Sequence, residues 1–204
     1  MRVLLFLICL FLLPVHEALA QDKILLMNGK EMECRIVADS GYVIVYDITK
    51  RNGKVKQVIS NRGEVFSYTQ LDSDEVIVYS QDTTFGDIYN ASEMRAFLAG
   101  QADSRNNFKA RHIALIGFAS CATIAFLGKD GYFTAVGPPV VYTVIQLIGK
   151  VKIREKTMSN KNYKYNDIYA DGYEPPARTR KIITAFSSGM IGSAVGLAVY
   201  FITK

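Results

Sequence analysis

The sequence contains no tryptophan, only two histidines and only three cysteines among its 204 residues. One histidine, His16, lies in an apolar N-terminal segment, which leaves His112 for the rest of the chain. Ser/His and Cys/His nucleophiles need a histidine beside them, and histidine-based metal sites need several. No cofactor motif, small-molecule site or catalytic constellation stands out either. We therefore predict a protein that is not an enzyme and that carries no metal or cofactor.

The N-terminus has the three-part form of a secretory signal peptide. Arg2 gives a positive start, residues 3–13 are a continuous apolar run, and Ala18-Leu19-Ala20 would precede a cut before Gln21. An uncleaved anchor is the alternative, but a run of about 11 residues is short for a bilayer core about 30 Å thick. We predict that residues 1–20 are removed on export.

Export would permit a disulfide between the two remaining cysteines, Cys34 and Cys121. Cys34 lies in a strand-like segment and Cys121 in an apolar, helix-like one. These settings favour two buried thiols, and the sequence leaves their pairing open.

Residues 21–80 have the pattern of a small all-β domain. Short β-rich runs alternate with turn signals, among them Asn28-Gly29 and Asn52-Gly53. Asn-Gly between two such runs is the strongest short hairpin signal. Five or six strands joined by two-residue turns predict a meandering SH3- or Sm-like β-barrel. Its predicted core includes Val43, Val45, Val55, Val58, Ile59, Val65, Phe66, Val76 and Val78.

A connector helix is predicted within residues 81–111. Asn90 followed by Glu93 is a capping-box pattern, and Met94, Phe97 and Leu98 recur at helical spacing. Arg95, Asp103 and Arg105 are interpreted as its solvated face. The helix would join the barrel to a membrane part.

Residues 112–148 are apolar and are interrupted at Gly137-Pro138-Pro139. Prolines disfavour one long helix through this stretch. We expect either two short helices or one span followed by a re-entrant segment.

The positive charge is concentrated in residues 149–181, a predicted loop with nine Lys/Arg against four Asp/Glu, whereas residues 21–148 carry 13 against 14. Basic residues and tyrosines next to apolar segments are typical of a membrane interface. A nucleic-acid interpretation is set aside because the basic character is local and apolar segments flank it. The candidate interfacial residues are Lys150, Lys152, Arg154, Tyr169, Tyr173, Arg178, Arg180 and Lys181.

Residues 182–204 are predicted to form a C-terminal transmembrane helix. No charged side chain occurs from Ile182 to Ile202, and 21 helical residues extend about 31 Å. Small residues recur at Ser188, Gly192 and Gly196, with Gly189 beside them. Such a stripe lets another helix approach closely, and we predict that these four residues form a helix-packing face.

The membrane topology depends on whether apolar segments or the distribution of positive charge decides it. If residues 112–127 and 131–148 both span, the basic loop returns to the exported side and violates the positive-inside rule. If only the first segment spans, the basic loop is cytoplasmic. The second arrangement obeys the rule and is the favoured one for an inner membrane.

Three stretches carry a resemblance to a known pattern: "KILLMNGKEMECRIV", "RGEVFSYTQLDSDEVIVYSQDTTFGDIYNASEMRAFLAGQADSR" and "YNDIYADGYEPPARTRK". The order of a strand-rich domain, a Met-Arg-x-Phe-x-x-Gly segment, a Tyr-x-x-Gly-Tyr stretch and C-terminal Gly-rich helices resembles a group of uncharacterised exported small membrane proteins of Bacteroidota-type bacteria. The resemblance covers most of the mature chain and implies the domain order, but no activity. The chain departs from the group at Glu174-Pro175-Pro176, where a continuous Lys/Arg-rich helix is more usual.

Taken together, the sequence predicts an α+β chain: a small β-barrel, a connector helix and two to three apolar, Gly-rich membrane helices. The expected function is that of a non-enzymatic envelope protein, exported and membrane-embedded, whose β-domain lies on the periplasmic side. That domain would bind a protein partner or support an assembly, or the Gly-rich helices would form a homo-oligomer. The alternative is a small helical subunit of an envelope transport or secretion complex.

Overall fold

The computed structural model describes residues 22–71, 73–82, 88–128 and 132–203. These residues form an α+β structure with a six-stranded antiparallel sheet and four α-helices. They divide into two compact units, one from residues 22–25 and 31–78 and the other from residues 26–30 and 79–203. The predicted signal peptide, residues 1–20, lies outside the described residues.

The six strands form an open sheet. They are β1 (Asp22–Leu26), β2 (Glu31–Asp39), β3 (Val43–Thr49), β4 (Val55–Asn61), β5 (Val65–Thr69) and β6 (Val76–Ile77), in the order β4-β3-β2-β1-β5-β6. A barrel requires the two end strands to pair with each other. In the described part of the chain β4 and β6 do not pair, and β6 has only two residues. The predicted closed barrel is therefore not supported.

The Asn-Gly turns that the sequence predicts are present. Gly29 and Gly53 both have φ of 74°, a conformation that costs glycine little because it has no Cβ. In each turn the Asn side chain closes the loop: Asn28 Oδ1 accepts from the Lys30 N–H at 2.9 Å, and Asn52 Oδ1 accepts from the Lys54 N–H at 3.2 Å.

The buried face of the sheet differs from the predicted one. On β3 the buried side chains are Ile44 and Tyr46, whereas the predicted core residues Val43 and Val45 are only half-buried. Val55 and Ile59 on β4 are exposed, although Val65 and Phe66 on β5 are buried as predicted. Val43 and Val45 share their face with Asp47 and Thr49, whereas Ile44 and Tyr46 share theirs with Ile48. The alternation over the whole strand therefore indicates the face that the structure buries.

The helices are α1 (Ala91–Asn107), α2 (Arg111–Leu127), α3 (Tyr132–Ile148) and α4 (Asp167–Thr203). The capping box is confirmed: Asn90 Oδ1 accepts from the Glu93 N–H, and Glu93 Oε2 accepts from the Asn90 N–H, both at 2.9 Å. α1 is more than a solvated connector, because Leu98, Asp103 and Ser104 on it are buried.

Two pairs of prolines lie inside helices, contrary to the prediction that they interrupt or exclude helix. Pro138 and Pro139 lie inside α3, and Pro175 and Pro176 lie inside α4, so neither pair ends its helix. The predicted loop 149–181 is accordingly half helical, since α4 begins at Asp167. Packing of α4 against its neighbours outweighs the loss of two N–H donors at each pair.

Asp39, the last residue of β2, joins three parts of the strand unit. Its carboxylate accepts from the Gly41 N–H at 3.0 Å, from the Arg62 guanidinium at 2.6 and 2.8 Å, and from the Tyr68 hydroxyl at 3.2 Å. The Gly41 hydrogen bond and the neighbouring Arg62 hold the pKa of Asp39 below its usual value. The charged form of this carboxylate is therefore the one that the folded strand unit favours.

We expect Asp39→Asn to destabilise the strand unit by about 1–2 kcal/mol at pH 7, because a charged acceptor of three donors is replaced by a neutral amide. A lowered pKa stabilises the fold above the unfolded pKa of about 4, and that contribution is lost as the pH falls through the folded pKa. Hydrogen exchange of β2 and β3 peptides should therefore separate variant from wild type at pH 7 and not near pH 2. Asp47→Asn, in the same sheet, is the matched control and should leave the hydrogen exchange of these peptides unchanged at both pH values.

Candidate functional site

The four stripe residues lie inside a bundle formed by α2, α3 and α4. A Cβ added to Gly192 would collide with the Phe118 backbone, and one added to Gly196 would collide with the Ala122 carbonyl. A Cβ on Gly189 would lie 3.1 Å from Pro139 Cα. The Ser188 hydroxyl oxygen would lie 2.7 Å from a Cβ added to Gly117. The backbones of α2 and α4 are therefore in direct contact, and only glycine permits that contact at positions 192 and 196.

The residue pairs across the bundle give the direction of each helix. Contacts of α4 with α2 advance in the same sense along both helices, so these two are parallel. α3 runs the other way: Tyr142 donates to the Ile113 carbonyl at 2.7 Å, and the residue after α3, Gly149, accepts from Lys181 Nζ at 2.9 Å. The start of α2, the end of α3 and Lys181 thus share one end of the bundle, which we call the polar end.

This arrangement bears on the topology. α3 runs back along α2 and α4 as one helix, which matches the alternative of two short helices. The basic segment then returns to the end at which α2 begins.

The bundle has small residues inside and large apolar residues outside. Gly117, Cys121, Ala125, Ala185 and Ser193 are buried. The exposed side chains of the same three helices include Leu115, Ile116, Ile124, Leu127, Phe133, Val141, Ile145, Ile148, Ile183, Phe186, Ile191, Val195 and Phe201. Contiguous apolar surface of this kind is unfavourable in water but matches lipid, where helices associate by close packing rather than by the hydrophobic effect.

One helix in the described residues, Asp167–Thr203, is long and apolar enough to cross a membrane. A second would qualify only if α1 and α2, which are bent by 50° at their junction, were taken as one span. Residues Phe133–Ile148 form a shorter apolar helix. Length and composition are weak indicators of a membrane span. The small residues inside the bundle and the large apolar residues outside it are a second, separate indication.

The N-terminal half of α4, which is polar, crosses α1, and a second pair of glycines lies at the crossing. A Cβ on Gly100 would collide with the Tyr169 carbonyl, and one on Gly172 would collide with the Phe97 carbonyl. These glycines belong to the Met-Arg-x-Phe-x-x-Gly and Tyr-x-x-Gly-Tyr segments singled out in the sequence. The two segments therefore meet in space and bring α1 against α4.

Tyr169 and Tyr173 lie in the core at this crossing and not at a surface, since they are 1% and 0% exposed. The Tyr169 hydroxyl donates to Asp103 Oδ2 at 2.7 Å, and the Tyr173 hydroxyl lies 3.0 Å from Thr157 Oγ1. Asp103 also accepts from the backbone N–H and the hydroxyl of Ser159. Burial, and then the Asp103 carboxylate, raise the pKa of Tyr169, so it stays a neutral donor.

The predicted basic residues separate into two groups. Lys150, Lys152, Arg154 and Lys181 line one cavity of about 610 Å³ at the polar end. Arg178 and Arg180 do not line it. Arg178 forms an ion pair with Glu174, and Arg180 donates to the carbonyls of Arg105 and Phe108 at 2.9 and 2.8 Å.

Three residues of this region are not among the predicted site residues. Lys109 and Lys156 also line the cavity, and Lys156 lies in the predicted basic segment 149–181. Asp103, interpreted as part of a solvated face, is only 3% exposed. Its signal was indirect: the buried hydroxyl of Tyr169 on α4 needs an acceptor, and only the fold brings Asp103 to it.

No known protein family, curated protein or solved structure matches the chain. The resemblance to small exported Bacteroidota-type proteins therefore stays a prediction. Cys34 and Cys121 are free and buried in the structure, and the described residues contain no group of metal-ligating side chains.

Gly192→Ala should open the α2–α4 contact, because the added methyl meets the Phe118 backbone. We expect the free energy of unfolding of the helical bundle to fall by about 1–3 kcal/mol. Since the chain has no tryptophan, the readout is the labelling rate of the buried Cys121 in detergent-purified protein, in a Cys34→Ala background. The rate should rise about tenfold or more.

Gly137→Ala is the matched control for this substitution. Gly137 also lies in a bundle helix, but a Cβ there has no heavy atom within 4 Å. It should leave labelling unchanged or slow it slightly, because alanine is the better helix former. Equal labelling in the two variants would contradict the packing assigned to Gly192.

Proposed function

We propose that the protein is a non-enzymatic, membrane-anchored protein of the cell envelope, in which the helical bundle is the anchor and the strand unit binds a protein partner or supports an assembly. The observation that carries the proposal is the bundle of α2, α3 and α4, with glycine, alanine, serine and cysteine inside and large apolar side chains outside. A soluble bundle of the same size would have the opposite arrangement.

The anchor does not depend on α4 alone. α2 and α3 each have 17 residues and extend about 26 Å. That length is somewhat short of a bilayer core, a mismatch that local thinning of the bilayer accommodates at modest cost. Three helices of one chain would then share the membrane.

The packing of the stripe favours the strand unit over the helices as the partner-binding part. The runner-up, a helical subunit of a transport or secretion complex, and a homo-oligomer through the Gly-rich helices both need a free helix-packing face. Gly192 and Gly196 lie against α2 of the same chain, and Gly189 lies against α3. The close-approach surface that suggested those alternatives is thus occupied.

The strand unit offers an edge for a partner. β4 has seven residues and ends the strand order, so its outer backbone groups have no strand beside them in the described chain. Val55 and Ile59 on this strand are 64% and 66% exposed and, four residues apart, lie on the same face. An extended partner segment that adds a strand to β4 would cover both features.

The sidedness that we propose follows from the predicted signal peptide. Export places the strand unit and the polar end outside the cytoplasm, and three traversals then bring residue 203 to the cytoplasmic side. The count of Lys and Arg at the polar end favours the reverse orientation. Reporter fusions distinguish the two.

The anchor is tested by carbonate extraction and by two reporter fusions. We expect the protein to stay in the membrane pellet at alkaline pH and to be released only by detergent. Alkaline phosphatase inserted after Ser159 should be active, and phosphatase fused after Thr203 should be inactive. Release by carbonate alone would refute the anchor, and the reversed pattern of phosphatase activity would refute only the sidedness.

The edge is tested by a photo-crosslinking amino acid at Gln57, between the two exposed apolar residues of β4. In intact cells it should give an adduct of defined mass that disappears in Val55→Lys/Ile59→Lys. Tyr42→Lys, at an aromatic position outside β4 that is even more exposed, should keep the adduct. An adduct that survives the double substitution would place the partner elsewhere.

A further inference from the structure

The cavity at the polar end is lined by six cationic side chains. They come from four parts of the helical unit: Lys109 before α2, Lys150 and Lys152 after α3, Arg154 and Lys156 farther along that segment, and Lys181 on α4. No aspartate or glutamate lines it. We call this space of about 610 Å³ the basic cavity.

One cation of the basic cavity is buried. Lys181 is 7% exposed, and its ammonium donates to the Gly149 carbonyl at 2.9 Å. An ammonium has three donors, and a buried cation is costly unless an anion compensates it. Among the described residues no carboxylate forms an ion pair with Lys181, so the cavity holds a buried positive charge without its counter-charge.

The nearby carboxylates are already engaged. Asp103 accepts from Tyr169 and Ser159 and does not line the cavity. Glu155 forms an ion pair with Lys164 on the exposed surface. Among the described residues no carboxylate lines the cavity to compensate Lys181, and an anionic ligand would supply that charge.

The walls of the cavity span the change from polar to apolar surface. Phe108, Ile113 of α2 and Val151 form an apolar part of its lining beside the lysines. Ile148, which ends α3 next to Gly149, is exposed. A ligand with an anionic head in the cavity and apolar chains along α2 and α3 would match both kinds of surface.

We propose that the basic cavity binds the phosphate of an anionic lipid headgroup at the membrane surface. This inference rests on the proposed membrane anchor, since a lipid is the phosphate source that the apolar walls favour over a soluble phosphate compound. A strand of nucleic acid needs exposed aromatic rings beside the cations for stacking. The exposed ring of the basic segment, Tyr165, does not line the cavity, and Tyr173, which does, is buried. Basic pockets between membrane helices bind acidic phospholipid headgroups at the cytoplasmic face, and the same charge chemistry applies at the other face.

The test is a binding titration on the full chain in a neutral detergent. Native mass spectrometry follows the retention of phosphatidylglycerol, with phosphatidylcholine as the neutral lipid and inorganic phosphate as the soluble source. Lys150→Gln/Lys152→Gln should weaken retention of phosphatidylglycerol about 25-fold, roughly fivefold for each charge. Phosphatidylcholine should be retained weakly by every variant.

Lys161→Gln/Arg178→Gln is the matched control, because it removes two charges from the same region outside the cavity. It should weaken retention less than threefold. If both double variants lose retention equally, diffuse surface charge explains the binding and the cavity proposal is wrong. If inorganic phosphate competes as strongly as the lipid binds, the ligand is a soluble phosphate compound instead.

The detergent titration does not require that the protein be membrane-anchored in the cell. Release by carbonate together with selective phosphatidylglycerol retention would therefore refute the proposed anchor and keep the cavity. Stable membrane retention without selectivity would refute the cavity and keep the anchor.

Discussion

The helical unit depends on direct backbone contact between α4 and two other helices. Gly100 and Gly172 allow the polar half of α4 to cross α1, and Gly192 and Gly196 allow its apolar half to lie on α2. Because one continuous helix carries both crossings, it fixes the polar end relative to the apolar bundle. In lipid, where apolar side chains gain little by leaving the solvent, such close packing is the main force between helices.

The sequence predicted local structure well, but it did not predict that the β-sheet stays open. Asn-Gly turns, the capping box at Asn90 and six short strands all follow from chemistry within a few residues. Whether a sheet closes depends on its two end strands, which are distant in the chain, and here the strand order ends in the two-residue β6. The buried face of β3 was missed because the prediction rested on Val43 and Val45, although Asp47 and Thr49 follow on the same face.

The site was predictable where spacing alone decides a contact. The small residues at 188, 192 and 196 fall on one helix face, and all three lie against α2. Tyr169 and Tyr173 were misplaced because a polar, basic sequence resembles an interfacial loop until α1 is packed against it. Asp103 shows the same limit: its burial follows from three donors on other segments, none of them visible from α1 alone.

The charge at the polar end and the proposed export direction are in tension, and the basic cavity offers a physical way to reconcile them. The positive-inside preference disfavours bare cations on the exported side. Salt screens exposed lysines there far more than a buried one such as Lys181. A lipid phosphate in the cavity would neutralise that buried charge where water cannot. The residue whose burial is hardest to explain in the chain alone would then be the one that most needs the membrane.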